Sequence, residues 1–458
     1  MIEEHDMSKT TTCTSNRILG AAPVALMSTR RSDLKRYFEK AWHLYEMLFA
    51  SLANGKHFFQ APDPLRNPLI FYYGHTAVFY INKLVLCGIL EKGINPRFEK
   101  LFATGVDPEL PGDLASGTTY PDLSNVIAYR EEVFTLISQV IDAIEIPEQI
   151  SSDDPLWNLH MAIEHDLIHF ETSSVLIRLM DVNHLVRPAL WKYAESIGFS
   201  EEFELIPVQA GRVTLGKQEP SELYGWDNEY GHLEVEVDAF SASKNLVTNG
   251  EFVYFVKSGG YENPLYWTKD GWEWKSRTNT NFPKFWIREE GVYRYRAMFD
   301  IIDMPLDWPA EVNAHEANAY CKFKGDRYRL LTEAEFKLLT NRSHPNFEPA
   351  LCNNFNLKMR FGSPTPVGFC EADEGEAFND LYGNVWEWLS ERFYPLPCFI
   401  VHNHYTDFSE PYFDQEHSML LGGSWATNGA GASQYYRLWF RDHFYQHAGF
   451  RLAMDLNA

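Results

Sequence analysis

In the stretch Pro155–Met180, "PLWNLHMAIEHDLIHFETSSVLIRLM", two of the three histidines, His165 and His169, stand four residues apart. In a helix, positions i and i+4 differ by roughly 40° and share a face, so two imidazoles one turn apart can hold one ion. Their neighbours Ile163, Leu167, Ile168 and Phe170 are apolar, which sets the pair inside a packed helix. Buried imidazoles need partners. Glu171 lies about 240° around the helix from His165, off the face the histidines share. It reads as a hydrogen-bond acceptor behind the ligands or as a structural carboxylate, with a two-histidine, one-carboxylate ligand set as the competing pattern. A zinc protease would carry glutamate directly after the first histidine. Asp166 stands there instead, and its shorter side chain argues against peptide hydrolysis.

Three upstream segments share the helical spacing. "SDLKRYFEKAWHLYEMLFASL" puts Leu34, Phe38, Trp42, Tyr45 and Leu48 on one stripe, with Ser32 as N-cap. "PLIFYYGHTAVFYINKLV" and "LSNVIAYREEVFTLISQVIDAI" follow. Four such helices over residues 31–198, behind a mobile tail at 1–30, predict a four-helix bundle. His75 sits mid-helix among aromatics in the second of them, where a bundle can bring it to the face of His165 and His169. Three neutral imidazoles bind zinc, iron and copper alike, so spacing does not choose the metal.

After about Glu202 the texture changes to glycines, aromatics and short apolar runs such as "VQAGRVTLGK", "EFVYFVKSGGY" and "MLLGGSWATNG". One clear helix, "WPAEVNAHEANAYCKFKG", has Pro309 near its start and Gly325 at its end, and a second opens on a Thr332–Glu335 capping box. Residues 205–458 are expected to form a mixed domain rich in irregular structure, giving an α+β, two-domain chain. Neither a phosphate-cradling loop nor a dinucleotide fingerprint occurs.

Net charge is −23, from 63 acidic and 40 basic residues, so nucleic acid and anionic membranes would repel the chain. No apolar run approaches the roughly 18–20 residues of a membrane span, and the N-terminus lacks a basic-then-apolar leader. The 6 cysteines include no C-x-x-C pair, which fits a reducing, cytoplasmic setting and a small-molecule enzyme.

"NPLIFYYGHTAVFYINK" and "EHDLIHFETSSVLIR" resemble the DinB-like N-terminal domain of the nonheme-iron sulfoxide synthases of ergothioneine and ovothiol biosynthesis. "PAEVNAHEANAYCKFKGDRYRLLTEAEF", "NDLYGNVWEWLSERFYPLPCF", "LLGGSWATNG" and "YRLWFRDHFYQHAGFRLA" resemble the formylglycine-generating-enzyme-like, C-type-lectin-like domain that follows in the same family. The resemblance implies Fe(II) held by His75, His165 and His169. It implies L-cysteine, L-histidine and O2 as substrates, joined as a sulfoxide at C5 of the imidazole. "ETSSVLIR" and "FRDHFYQHAGFR" look most like the ovothiol branch. The alternatives are hercynine sulfurised at C2, a selenium donor, or a ligand-binding scaffold without catalysis. Tyr394 in "RFYPLPCF" matches the family's active-site tyrosine, although Cys398 stands where relatives more often carry glycine. Arg441, Arg437 and Arg130 are candidates to clamp substrate carboxylates, and Trp425 to line the pocket. Ovothiol-branch relatives usually add a methyltransferase, and any N-methylation here would come from a separate one. No cysteine follows Cys398, which removes the copper-thiolate chemistry of true formylglycine-generating enzymes and leaves the second domain as a scaffold for the pocket.

Overall fold

The computed structural model describes residues 19–103, 118–199, 202–345, 347–370 and 377–456. The first half is a helical bundle of α1 (Arg31–Phe49), α2 (Leu69–Leu86), the short α3 (Pro96–Leu101), α4 (Leu123–Ala143) and α5 (Pro155–Arg178). α1 buries Leu34, Tyr37, Phe38, Ala41, Trp42, Tyr45 and Leu48, the three-and-four spacing of a core-facing stripe. It begins at Arg31 with extended Arg30 as N-cap, so Ser32 lies inside the first turn and caps nothing. α5 is capped by Asp154, whose side chain accepts from Leu156 N, and Pro155 occupies the first helical position. From Leu156 to Arg178 only Ile168, His169 and Thr172 are half-buried, and the rest are buried. A helix covered all round is a central one. α1 and α2 pack on α5 from one side, and the second half of the chain covers the other.

That second half is mixed α/β. One antiparallel sheet places Ala453–Asp455 between Phe240–Ser243 and Tyr328–Arg329, with Leu205–Val208 at its edge. Another runs Leu438–Arg441, His417–Leu421, Trp386–Arg392 and Ala448–Gly449. Four helices join them: α6 (Asn249–Lys257), α7 (Lys269–Thr278), α8 (Ala314–Lys324) and α9 (Glu333–Ser343). The run "EFVYFVK", whose apolar residues suggest extended chain, lies in α6 because Thr248 and Glu251 form a capping box ahead of it. α8 starts not near Pro309 but at Ala314, where Asn313 and Glu316 make the box. α9 opens on Thr332 and Glu335 as the sequence indicates. Cys398 has a φ of 67°, the left-handed region where glycine is at ease.

The expected tail divides. Residues 1–18 lie outside the described residues. Residues 19–30 are not a free arm: they are held by the second domain and, through Ser28 N to Glu148 O (2.7 Å), by the bundle. Gly20 N donates to Lys358 O (2.8 Å), Ala21 N to Asn428 Oδ1 (2.8 Å) and Gly429 N to Ala21 O (3.0 Å), while Ala21 and Leu26 are buried.

One face of α5 reads the second domain. At about 100° per residue, Glu164, Glu171, Ser174 and Arg178 fall within roughly 80° of one another. Glu164 accepts from Ala430 N (2.9 Å) and Arg178 pairs with Glu311 (2.7 Å), both side chains 1% exposed. Ser174 Oγ and His447 Nε2 lie 2.8 Å apart, and His447 Nδ1 lies 3.2 Å from Glu311. This hydroxyl–imidazole–carboxylate row is not a hydrolase triad. Ser174 donates to the Glu171 carbonyl (2.7 Å), and all three side chains are sealed from solvent.

Candidate metal centre

The opposite face of α5 presents His165 and His169 to α2. There Phe71, His75 and Phe79 form an i, i+4, i+8 row. The ring centroids of His75 lie 5.0 Å from those of His165 and 4.7 Å from those of His169, and the latter two are 4.4 Å apart. One ring nitrogen from each histidine lies within 4.8 Å of the others. Ligands at about 2.1 Å from one ion are at most about 4.2 Å apart, so a small inward turn of the rings closes the set.

The polar atoms fit a metal. His75 Nδ1 donates to Phe102 O at 2.6 Å, which fixes the tautomer and leaves Nε2 as a lone-pair donor. Both nitrogens of His165 and Nδ1 of His169 are buried without a hydrogen-bond partner, a costly state that an ion relieves. Burial lowers the pKa of His75 to about 4. Burial, reinforced by the neighbouring imidazoles, drives His165 and His169 well below the usual histidine range. All three are therefore neutral ligands near neutrality. Phe79 stacks on His165 at 3.6 Å and 6°, holding that ring's plane. Among the described residues this is the one cluster of three or more histidine, cysteine or carboxylate side chains with metal-holding spacing.

His169 opens onto a cavity of about 400 Å³ walled by Tyr72, Thr172, Trp274, Phe440 and Phe444, a volume within the range of small-molecule sites. The bundle and the second domain both contribute to it.

Other residues singled out in the sequence lie elsewhere. Glu171 touches none of the three imidazoles. It accepts from Trp386 Nε1 (2.7 Å), Thr427 Oγ1 (2.9 Å) and Ser424 Oγ, and so is a structural carboxylate of the seam. Tyr394 does not meet the triad either. Its hydroxyl donates to Glu333 (2.6 Å), which also pairs with Arg437 (2.8 Å), a network that includes no triad histidine. Arg130 is a strut inside the bundle, bound to Glu46 (2.7 Å) and Tyr73 O (2.6 Å) and stacked over Trp42. Arg441 pairs with Glu416. Trp425 is buried between Trp191 and His447.

The tyrosine ring that the second domain brings to the triad belongs to Tyr405, 6.1 Å from His165 and 5.1 Å from Phe79. Lys83 of α2 sits 4.1 Å over that ring and donates to His404 O, tying the loop to the bundle. Burial pushes the Tyr405 hydroxyl far above the ordinary range, so it keeps its proton. "HNHYTDF" has no periodicity that would single this tyrosine out.

Comparison with known proteins agrees with this geometry. Residues 198–456 match the sulfatase-modifying factor enzyme 1-like domain. The hercynine oxygenase of Mycobacterium tuberculosis is 30% identical over 86% of this chain and 92% of its own length. The chain belongs to the sulfoxide synthase family that contains the hercynine oxygenases. Ergothioneine biosynthesis protein 1 of Neurospora crassa is 22% identical over 92% of this chain, which spans 57% of that longer relative. The inactive C-alpha-formylglycine-generating enzyme 2 of mouse is 24% identical over 52% of this chain. As a sulfoxide synthase, the chain joins a helical bundle bearing the three-histidine cluster to a domain of the formylglycine-generating-enzyme type. No described helix is long and apolar enough to cross a membrane.

Proposed function

We propose that this sulfoxide synthase binds Fe(II) through His75, His165 and His169 and uses O2 to join the sulfur of cysteine to the imidazole of a histidine-type acceptor. The observation that carries the reading is the convergence of three imidazoles, His75 and His165 buried and His169 half-buried at the wall of a shared cavity, with unpartnered ring nitrogens on His165 and His169. Bound ferrous iron would supply O2 activation and a site for the thiolate.

The chain's own residues do the rest. Phe102 O and Phe79 hold the ligand rings in place. The cavity walls bring thiol and imidazole side by side, and proximity removes much of the barrier to joining them. The neutral Tyr405 hydroxyl is the proton donor that turns the reaction from thiol oxidation toward coupling.

Two acceptors fit the class. The relatives named hercynine oxygenase support hercynine, with sulfur placed at C2. The stretches "ETSSVLIR" and "FRDHFYQHAGFR" support histidine, with sulfur at C5. The test is anaerobic Fe(II) loading, then oxygen with cysteine and either acceptor. Mass and NMR of the remaining imidazole protons identify the product. Acceptor-dependent C–S product is expected. Oxygen uptake that yields only oxidised cysteine would make the chain a thiol oxygenase, and no uptake at all would leave the ligand-binding scaffold ahead.

A further inference from the structure

Every arginine considered above is already neutralised: Arg130 by Glu46, Arg178 by Glu311, Arg437 by Glu333 and Arg441 by Glu416. Arg66 is different. It lines the cavity that His169 faces, and among the described residues no carboxylate lies within ion-pair distance of its guanidinium. Asp63 lines the same cavity but spends Oδ1 on Leu65 N (2.8 Å).

The guanidinium is nonetheless held in place. Arg66 N closes a turn on Asp63 O (3.0 Å), and the guanidinium carbon stacks 4.0 Å from the Phe444 ring centroid. Stacking uses the face of the group and leaves its edge N–H donors free, the geometry that takes a carboxylate with two parallel hydrogen bonds.

Position suggests which carboxylate. Tyr72 spans the interval between metal and arginine: its ring lies 6.3 Å from that of His169, and its hydroxyl accepts from Asn67 N, the residue after Arg66. A substrate reaching from the histidine face to Arg66 runs along the Tyr72 ring. An imidazolyl amino acid, with a flat ring at one end and a carboxylate at the other, matches that aromatic wall. We propose, resting on the sulfoxide synthase reading, that Arg66 clamps the α-carboxylate of the imidazole substrate. Histidine and hercynine both carry that group, so the assignment holds for either.

The test is anaerobic titration calorimetry on the full, Fe(II)-loaded chain with L-histidine, hercynine and histamine, which lacks the carboxylate. Wild type is expected to bind its acceptor about 10-fold or more tightly than histamine, the discrimination of a charge-assisted pair. Arg66→Met should abolish that preference with iron content unchanged, and Arg66→Lys should restore part of it. A wild-type chain indifferent to the carboxylate, or an Arg66→Met chain that keeps the preference, overturns the assignment. Turnover separates the two claims. Carboxylate preference without C–S product sinks the sulfoxide synthase reading alone, and C–S product with an unchanged acceptor KM in Arg66→Met sinks the clamp alone.

Discussion

His75 donates its Nδ1–H to the carbonyl oxygen of Phe102 across 2.6 Å, and Phe102 can lie there because residue 74 is glycine. A Cβ at position 74 would stand 2.8 Å from three atoms of the Phe102 ring, closer than packed carbons approach. Gly74→Ala should therefore displace the residue that aims a ligand. The expected result is a loss of about 10-fold or more in Fe(II) affinity, with roughly 1–3 kcal/mol of stability. Anaerobic iron titration and urea denaturation measure the two. Wild-type iron affinity in this variant would show that the Phe102 carbonyl does not orient His75.

Tyr405 and Tyr394 offer a paired test. Tyr405→Phe keeps the ring against Phe79 and His165 but removes the hydroxyl, so iron content should hold while product shifts from C–S coupling toward oxidised cysteine. Tyr394→Phe should leave the product ratio alone and cost about 1 kcal/mol for the lost bond to Glu333. Chromatography of products from both variants decides; the reverse pattern would return the role to Tyr394.

The α5 seam is held by charges sealed from solvent. Arg178→Met strands Glu311 in a site 1% exposed, and an uncompensated buried charge costs about 3–5 kcal/mol. Arg178→Met with Glu311→Gln removes both charges and should recover a large part of that loss in urea denaturation. Additive losses in the double variant would show that the two do not act as a pair.

Acid should find the same pair. Burial alone would raise the Glu311 carboxyl, but the Arg178 guanidinium and His447 override it and hold its pKa at about 2. Its folded value lies below the unfolded value of about 4.3. Its contribution is therefore complete above that unfolded value and is lost as pH falls from there toward 2. Glu311→Gln should be less stable at neutral pH and show a flatter decline in that acid window. An unchanged slope would place the acid sensitivity elsewhere.

The helical half was legible because period reports burial. His165 and His169 one turn apart, and His75 among aromatics, are patterns that local geometry imposes on the chain. Glu171 was half legible: its angle around the helix excluded it from the histidine face but could not say that Trp386, Ser424 and Thr427 would claim it. α6 was missed because "EFVYFVK" carries strand-like aromatics and β-branched residues, and the capping box alone reveals the helix. Tyr405 and Arg66 come from loops, where position is set by partners far along the chain rather than by neighbours in sequence. Arg130, Arg437 and Arg441 each lie against a glutamate, and sequence shows such a charge but not the carboxylate folded against it.

Iron stoichiometry is the most direct test of the three-imidazole centre. The wild-type chain and His75→Ala should be loaded anaerobically with Fe(II), desalted, and assayed for metal by mass spectrometry. About one iron per wild-type chain is expected, with nearly all of it lost in His75→Ala while the far-ultraviolet circular dichroism stays helical. A His75→Ala chain that retains the full wild-type complement would contradict the account.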